Sequence, residues 1–145
     1  MVEEDHIHQV VRSFREVNRV LYLITREEAD KLDLTMMQLF VLQSLKKKPD
    51  ISLGELADLV QVGNSTMSGI VERLVKLGLI TRQRSETDRR SLVMRLTPEG
   101  EEKQQATYIL FKERLSPLLE IPEDDLNRLL QLHDQILHKI KIKGE

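Results

Sequence analysis

A chain of 145 residues can bury one core of respectable size, and 40% hydrophobic with 32% charged residues is the make-up of a soluble, helix-rich domain. The absence of cysteine excludes disulfides, thiolate metal sites and thiol-based redox sensing, and with no Trp there is no stacking platform for single-stranded nucleic acid. The first residues lead from acids into an amphipathic pattern, with neither a signal core nor a run long enough to span a bilayer, so a cytoplasmic protein with no membrane partner is expected.

From about Glu4 to Lys31, Ile7, Val10, Phe14, Val17, Leu21 and Ile24 are spaced alternately by three and four, a heptad-like helical stripe. Val11, Val20 and Leu23 add a second rib, more apolar surface than one packing contact needs. Thr35 and Gln38 read as a capping box with Leu34 and Leu39 as its hydrophobic staple. The second helix they open, through about Lys47, buries Phe40, Val41, Leu42 and Leu45, and Lys48-Pro49-Asp50 breaks it. Ser52 and Glu55 repeat the box, with Ile51 and Leu56 as staple, and open a short third helix that buries Leu56, Leu59 and Val60.

After a turn at Gln61-Val62-Gly63, Gly63 or Asn64 caps a fourth helix. Met67, Ile70, Val71, Leu74 and Leu77 share its inner face; Ser65, Ser68, Gly69, Glu72 and Lys76 share the other, small and polar near the start. Two short helices joined by a tight turn, the second with an unobstructed polar face, form a helix-turn-helix. Gly78 is a helix stop, and the period then switches to two. Leu79 to Gln83 and Leu92 to Leu96 are strands around an Arg-rich turn, a β-hairpin wing. Arg82, Arg84, Arg89, Arg90 and Arg95 face Glu86 and Asp88 in that segment, locally about +3 in a chain of net charge −2. Positive charge is therefore concentrated where a protein that touches phosphates locally would put it.

Thr97 caps the next helix with Pro98 at its first position; it carries Ala106, Tyr108, Ile109, Leu110, Phe111 and Leu115 before Ser116-Pro117 interrupts it. Pro122-Glu123-Asp124-Asp125 opens the last helix with acids at the positive end of its dipole and Lys139, Lys141 and Lys143 at the other end. Its stripe is Leu126, Leu129, His133, Ile136 and Ile140, with Leu130 and Leu137 beside it. The first and last helices thus carry apolar faces without a partner inside so small a domain, and a twofold homodimer disposes of them most simply.

A helix-turn-helix, then ERLVKLGLITR, then a wing with Asp88-Arg89-Arg90 closing on Leu96-Thr97-Pro98-Glu99-Gly100, resembles the MarR family of winged helix-turn-helix regulators. The flanking helices match as well, so the resemblance covers nearly the whole chain. It implies a mainly α fold: one domain over 1–145, with a winged helix-turn-helix lobe at about 35–97, a two-stranded wing, and dimerisation helices at about 4–31 and 98–143. It implies that Ser65, Thr66 and Ser68 touch phosphates and base edges, beside Asn64, Arg73 and Lys76, the strong donors of the recognition helix. Arg90 aligns with the wing-tip arginine that the family inserts into the minor groove, and Arg84 and Arg89 read as phosphate contacts. Asp88 takes the role of orienting an arginine; Arg73 either contacts DNA or ties its helix to the wing through Asp88.

Relatives of this kind often sense small aromatic or anionic ligands in a crevice between lobe and dimerisation region. Here Phe14, Met36, Phe40, Tyr108 and Phe111 are the candidates to line it, with a plain hydrophobic core as the equal alternative. His6, His8, His133 and His138 lie near the termini, and no spacing among them makes a metal site; solvated or interfacial imidazoles are the better reading. No nucleophile elbow, phosphate-binding glycine loop or metal-ligand cluster points to an enzyme, and no cofactor is implied. The expected function is a dimeric regulator of transcription, a repressor, that binds a pseudo-palindromic site on double-stranded DNA. The alternative is an architectural or protein-interaction module without ligand response.

Overall fold

Two hydroxyl caps set where the second and third helices begin. In the computed structural model, which describes residues 2–88 and 90–141 (side chains from Asp5 onward), Thr35 Oγ1 accepts from the Gln38 amide at 3.1 Å. The Gln38 side chain accepts from the Thr35 amide at 2.9 Å, so the expected box at α2 (Met36–Lys47) is complete, over a staple of buried Leu34 and Leu39. Ser52 opens α3 (Leu53–Val60) by accepting from the Glu55 amide at 3.2 Å. Its second half differs from expectation: Ser52 Oγ donates to the Glu55 carboxylate at 3.3 Å, because Ser52 also ends a strand and its backbone pairs across a sheet.

That strand, β1 (Ile51–Ser52), was not expected. It makes the wing part of a three-stranded antiparallel sheet of order β1-β3-β2, with β2 at Ile80–Arg84 and β3 at Leu92–Leu96. Ile51 pairs with Met94 and Ser52 with Val93, while β2 runs alongside β3 from Ile80↔Leu96 to Arg84↔Leu92. The central strand is therefore held on both sides at Val93 and Met94, and by β2 alone at its two ends.

By its own contacts the chain divides into two units, Met1–Phe111 and Lys112–Glu145. The first holds the buried core. The end of α1 (Val2–Lys31) contributes Ala29, and α2, α3 and α4 (Asn64–Lys76) contribute residues such as Leu39, Leu42, Leu45, Leu56, Met67 and Leu74. Ile80, Met94 and Leu96 close it from the sheet. Earlier in α1, Ile7, Val10, Val11, Phe14, Val17, Val20 and Leu23 are exposed on the single chain.

Several expected core positions are not core. Leu59 and Leu77 are each 48% exposed and Phe40 is half-buried, while Val60 and Ile70 are half-buried but packed against the core. Leu77 leaves the core because α4 ends at Lys76 and Gly78, at φ +76°, turns the chain; Leu79 takes the buried place instead. α5 (Pro98–Leu115) begins as expected, with Thr97 Oγ1 accepting from the Gly100 amide at 3.0 Å, but it buries Gly100, Gln104 and Thr107 rather than its aromatic residues. Gly100 backs directly onto the Leu79 carbonyl, where a Cβ would overlap it. A small-residue contact has replaced a large apolar one.

In the second unit the chain after Leu115 makes a 3-10 turn over Ser116–Glu120, then α6 (Glu123–Lys139). None of its described residues is buried, and Leu119, Leu130, Leu137 and Ile140 are among the most exposed apolar side chains of the chain. Lys143, expected at the end of the last helix, lies outside the described residues. No described helix is long and apolar enough to cross a membrane.

Candidate nucleic-acid interface

The turn between α3 and α4 is made by Gln61, which adopts the left-handed conformation at φ 62°. The Val62 amide then returns to the Ala57 carbonyl at 3.0 Å, and Gly63 becomes the N-cap of α4 without a side-chain bond. Of the two candidate caps, Gly63 is the one used. Met67, Val71 and Leu74 are buried, which fixes the rotation of α4 about its axis. Asn64, Ser65, Thr66, Ser68, Gly69, Glu72, Arg73 and Lys76 are consequently exposed.

Among the described residues outside its own stretch of helix, nothing lies within 4 Å of a Cβ built on Gly69. The outer face of α4 is open at this position. Lys76 Nζ stands 3.6 Å from Glu72 Oε1, an exposed pair that holds the lysine weakly.

Serines and one aspartate build the wing loop. The Ser85 amide donates to the Ser91 carbonyl at 2.9 Å, and Ser85 Oγ accepts from the amides of Thr87 and Asp88, both at 3.3 Å. Asp88 Oδ1 accepts from the Arg90 amide at 3.0 Å and Oδ2 from the Ser91 hydroxyl at 3.1 Å. The Asp88 carboxylate therefore sets the backbone on which Arg90 stands; among the described residues it makes no ion pair with Arg73, so the link from α4 to the wing is not formed. Arg82, Arg84 and Arg90 are exposed, and Arg89 lies outside the described residues.

Arg95 is different from the other wing arginines. Its Nε and Nη2 donate to the two carboxylate oxygens of Asp50 at 2.8 and 2.7 Å, a bidentate fork. These hydrogen bonds hold the Asp50 carboxyl below its ordinary range and raise the guanidinium further. Its charge is thus matched at the base of the wing, and the +3 counted along the segment overstates what is available to phosphates. A lone aspartate after Lys-Pro had no sequence signal to connect it with a residue 45 positions away.

Of the five residues expected to line a ligand crevice, the structure brings together Phe40 and Phe111, at a cavity of about 190 Å³. Phe14, Met36 and Tyr108 are not in its lining. Thr25, Glu28, Leu39, Gln43 and Thr107 are, and they were not anticipated. Glu28 is 1% exposed, its carboxylate 3.1 Å from Lys31 Nζ. The Thr25 and Thr107 hydroxyls donate to the Leu21 and Lys103 carbonyls, so only acceptor capacity remains on each oxygen. Among the described residues no group of three or more His, Asp or Glu is placed to hold a metal ion.

The MarR family model matches residues 34–92, the helix-turn-helix and most of the wing. The regulator BilQ of Clostridium symbiosum is 33% identical over 113 residues, 75% of this chain and 78% of that one. The repressor MdtR of Bacillus subtilis is 38% identical over 75 residues, 52% of this chain; the chain spans only 48% of MdtR's length. The crystal structure of apo MarR from E. coli superimposes with a TM-score of 0.74 at 25% identity, covering 87% of this chain and 95% of that one. With the helix-turn-helix, the three-stranded wing sheet and these likenesses together, the chain belongs to the MarR family of winged helix-turn-helix proteins.

Proposed function

We propose that this chain is a dimeric, sequence-selective regulator of transcription that binds double-stranded DNA and acts as a repressor. One observation carries the reading: a single lobe presents both a recognition helix with an unobstructed outer face around Gly69 and a wing whose Arg90 is held by Asp88. In this reading Asn64, Ser65, Thr66, Ser68, Arg73 and Lys76 meet the major groove, Arg90 enters the minor groove, and Arg84 and Arg89 take phosphates.

The exposed apolar residues of α1, and separately those of α6, are covered by a second copy of the chain. Twofold symmetry then calls for a pseudo-palindromic site with half-site centres about 10 bp apart. The experiment is to select bound fragments from genomic DNA and then insert about five base pairs, half a turn, between the half-sites. Affinity falling to the non-specific level supports the reading. Undiminished binding removes the two-groove geometry, and uniform binding to any duplex favours an architectural module.

Release of DNA by a small ligand is a further part of the proposal, favoured by the cavity at Phe40 and Phe111. Its lining suits an aromatic or donor-bearing molecule better than an anion, since the Glu28 carboxylate and two hydroxyl acceptors border it.

A further inference from the structure

We propose that Asp50 and Arg95 are positioning residues for DNA recognition: a strut that sets the wing's angle to α4, with Arg95 not itself a contact to phosphate. The inference rests on the DNA-binding reading of the wing given above.

The wing is attached to the lobe through few groups. β1 offers β3 only two residues, opposite Met94 and Val93; on either side of them, at Leu96 and Arg95 toward the base and at Leu92 toward the tip, β3 is paired with β2 alone. Two-stranded ribbons twist and bend easily. Just before β1, Asp50 adds two further ties to β3: its amide donates to the Met94 carbonyl at 3.1 Å, and its carboxylate takes the Arg95 fork at 2.7 and 2.8 Å. Asp50 stands at φ 61°, a conformation that Asp tolerates better than most residues and that aims the turn after Pro49 back at the strand. Asp50 and Arg95 also line a depression of about 270 Å³ whose other walls are Gln83, Arg84, Ser85, Glu86, Thr87 and Val93, so the pair braces the wing across its concave side.

The Nε–Nη2 edge of the guanidinium meets both oxygens of one carboxylate, and each side chain is about half exposed (50% and 42%). An exposed pair of this kind adds little to global stability. Geometry is what it can supply: without it, α4 and Arg90 no longer reach their grooves at one fixed separation, and the loss appears in binding rather than in folding.

The two roles predict opposite signs. If Arg95 were a phosphate contact held back by Asp50, removing the acid would free a cation beside a polyanion, and Asp50→Asn would bind DNA more tightly. If the pair is a strut, Asp50→Asn weakens binding although it removes a negative charge. The experiment compares wild type, Asp50→Asn, Arg95→Gln and the double variant on a duplex recovered by wild-type selection and on the same duplex with G·C flanks. We expect each single variant to lose about tenfold on the selected duplex, the scale of one base-directed contact, and to lose most of its preference between flanks. The double variant should lose no more than either single one, and the slope of log affinity against log salt should stay that of wild type. Binding by Asp50→Asn equal to or tighter than wild type, or a slope about one lower for Arg95→Gln, overturns the strut.

If wild type itself selects no duplex, the DNA-binding reading fails first, and amide exchange in the free protein still judges the strut. The Ser85 and Ser91 amides of the wing loop should exchange faster in Asp50→Asn than in wild type, with α2 and α4 unchanged; equal exchange in the wing overturns it.

Discussion

The Thr97 hydroxyl donates to the Gly78 carbonyl at 2.6 Å while it accepts from the Gly100 amide at 3.0 Å. One side chain therefore joins the stop after the recognition helix, the end of β3 and the start of α5. The Thr97 amide adds a bond to the Leu79 carbonyl at 3.0 Å, and Gly100 packs on that same carbonyl. The start of α5 is thereby tied to the base of the wing at four points close together in the chain.

Thr97→Ala removes a helix cap and leaves the Gly78 carbonyl without this donor, and should cost about 1–2 kcal/mol in chemical denaturation, with Thr97→Ser recovering most of it. Gly100→Ala should cost more, about 1–3 kcal/mol or beyond, because backbone cannot yield to a methyl as a side chain can. A neutral Gly100→Ala would mean that α5 is free to move off Leu79.

Gly69→Ala is the opposite case. Its Cβ would meet open space, so the substitution should raise stability by about 0.5–1 kcal/mol through helix propensity. Duplex affinity should fall by about 1–3 kcal/mol if α4 approaches DNA as closely as glycine allows. Thermal melting and fluorescence anisotropy on the same samples measure both, and a stabilised protein with unchanged affinity would place Gly69 away from the DNA.

Arg90→Ala should weaken binding by about 1–3 kcal/mol, more on sites with A·T-rich flanks, whose narrow minor groove attracts an arginine. Lys76→Ala and Arg84→Ala should instead weaken binding to every sequence and lower the salt slope by about one each. Titrations at three or four salt concentrations separate the two patterns, and an Arg90→Ala protein with full affinity at moderate salt would end the minor-groove assignment.

Assembly gives a fourth outcome. Leu130 and Leu137 are 62% and 64% exposed on the single chain, so aspartate at both should scarcely matter to a monomer. If a second copy covers them, Leu130→Asp with Leu137→Asp should halve the mass seen by light scattering or cause aggregation. An unchanged mass with an unchanged unfolding midpoint would take α6 out of the interface.

The Asp50 carboxyl supplies a pH test. The Arg95 hydrogen bonds lower its pKa in the folded protein, so the pair's contribution is fully present above the ordinary aspartate value of about 3.9 and is lost as pH falls through the folded value. Because the group is solvent-exposed, the effect on global stability is small. A carbon-detected NMR titration of Asp50 should show a midpoint below that of free aspartate, moving back to it in Arg95→Gln; equal midpoints in the two proteins would mean the fork does not persist in solution.

Local features follow from side-chain type and order alone. Caps at Thr35, Ser52 and Thr97, the stop at Gly78 and the interruption at Ser116-Pro117 act through neighbours a few residues away, so they are legible from side-chain type and order. Helix periodicity likewise placed Met67, Val71 and Leu74 inward and Ser65, Ser68 and Gly69 outward. Only the tertiary structure decided what depends on distant partners. A two-residue strand has no period to read, so β1 exists only because β3 lies beside it. Asp50 finds Arg95 across 45 residues, and Asp88 turns to its own loop rather than to Arg73. The inner surface of α5 is Gly100, Gln104 and Thr107, and at Gly100 the Leu79 carbonyl lies too close for any side chain, a constraint of shape that no pattern of apolar residues announces.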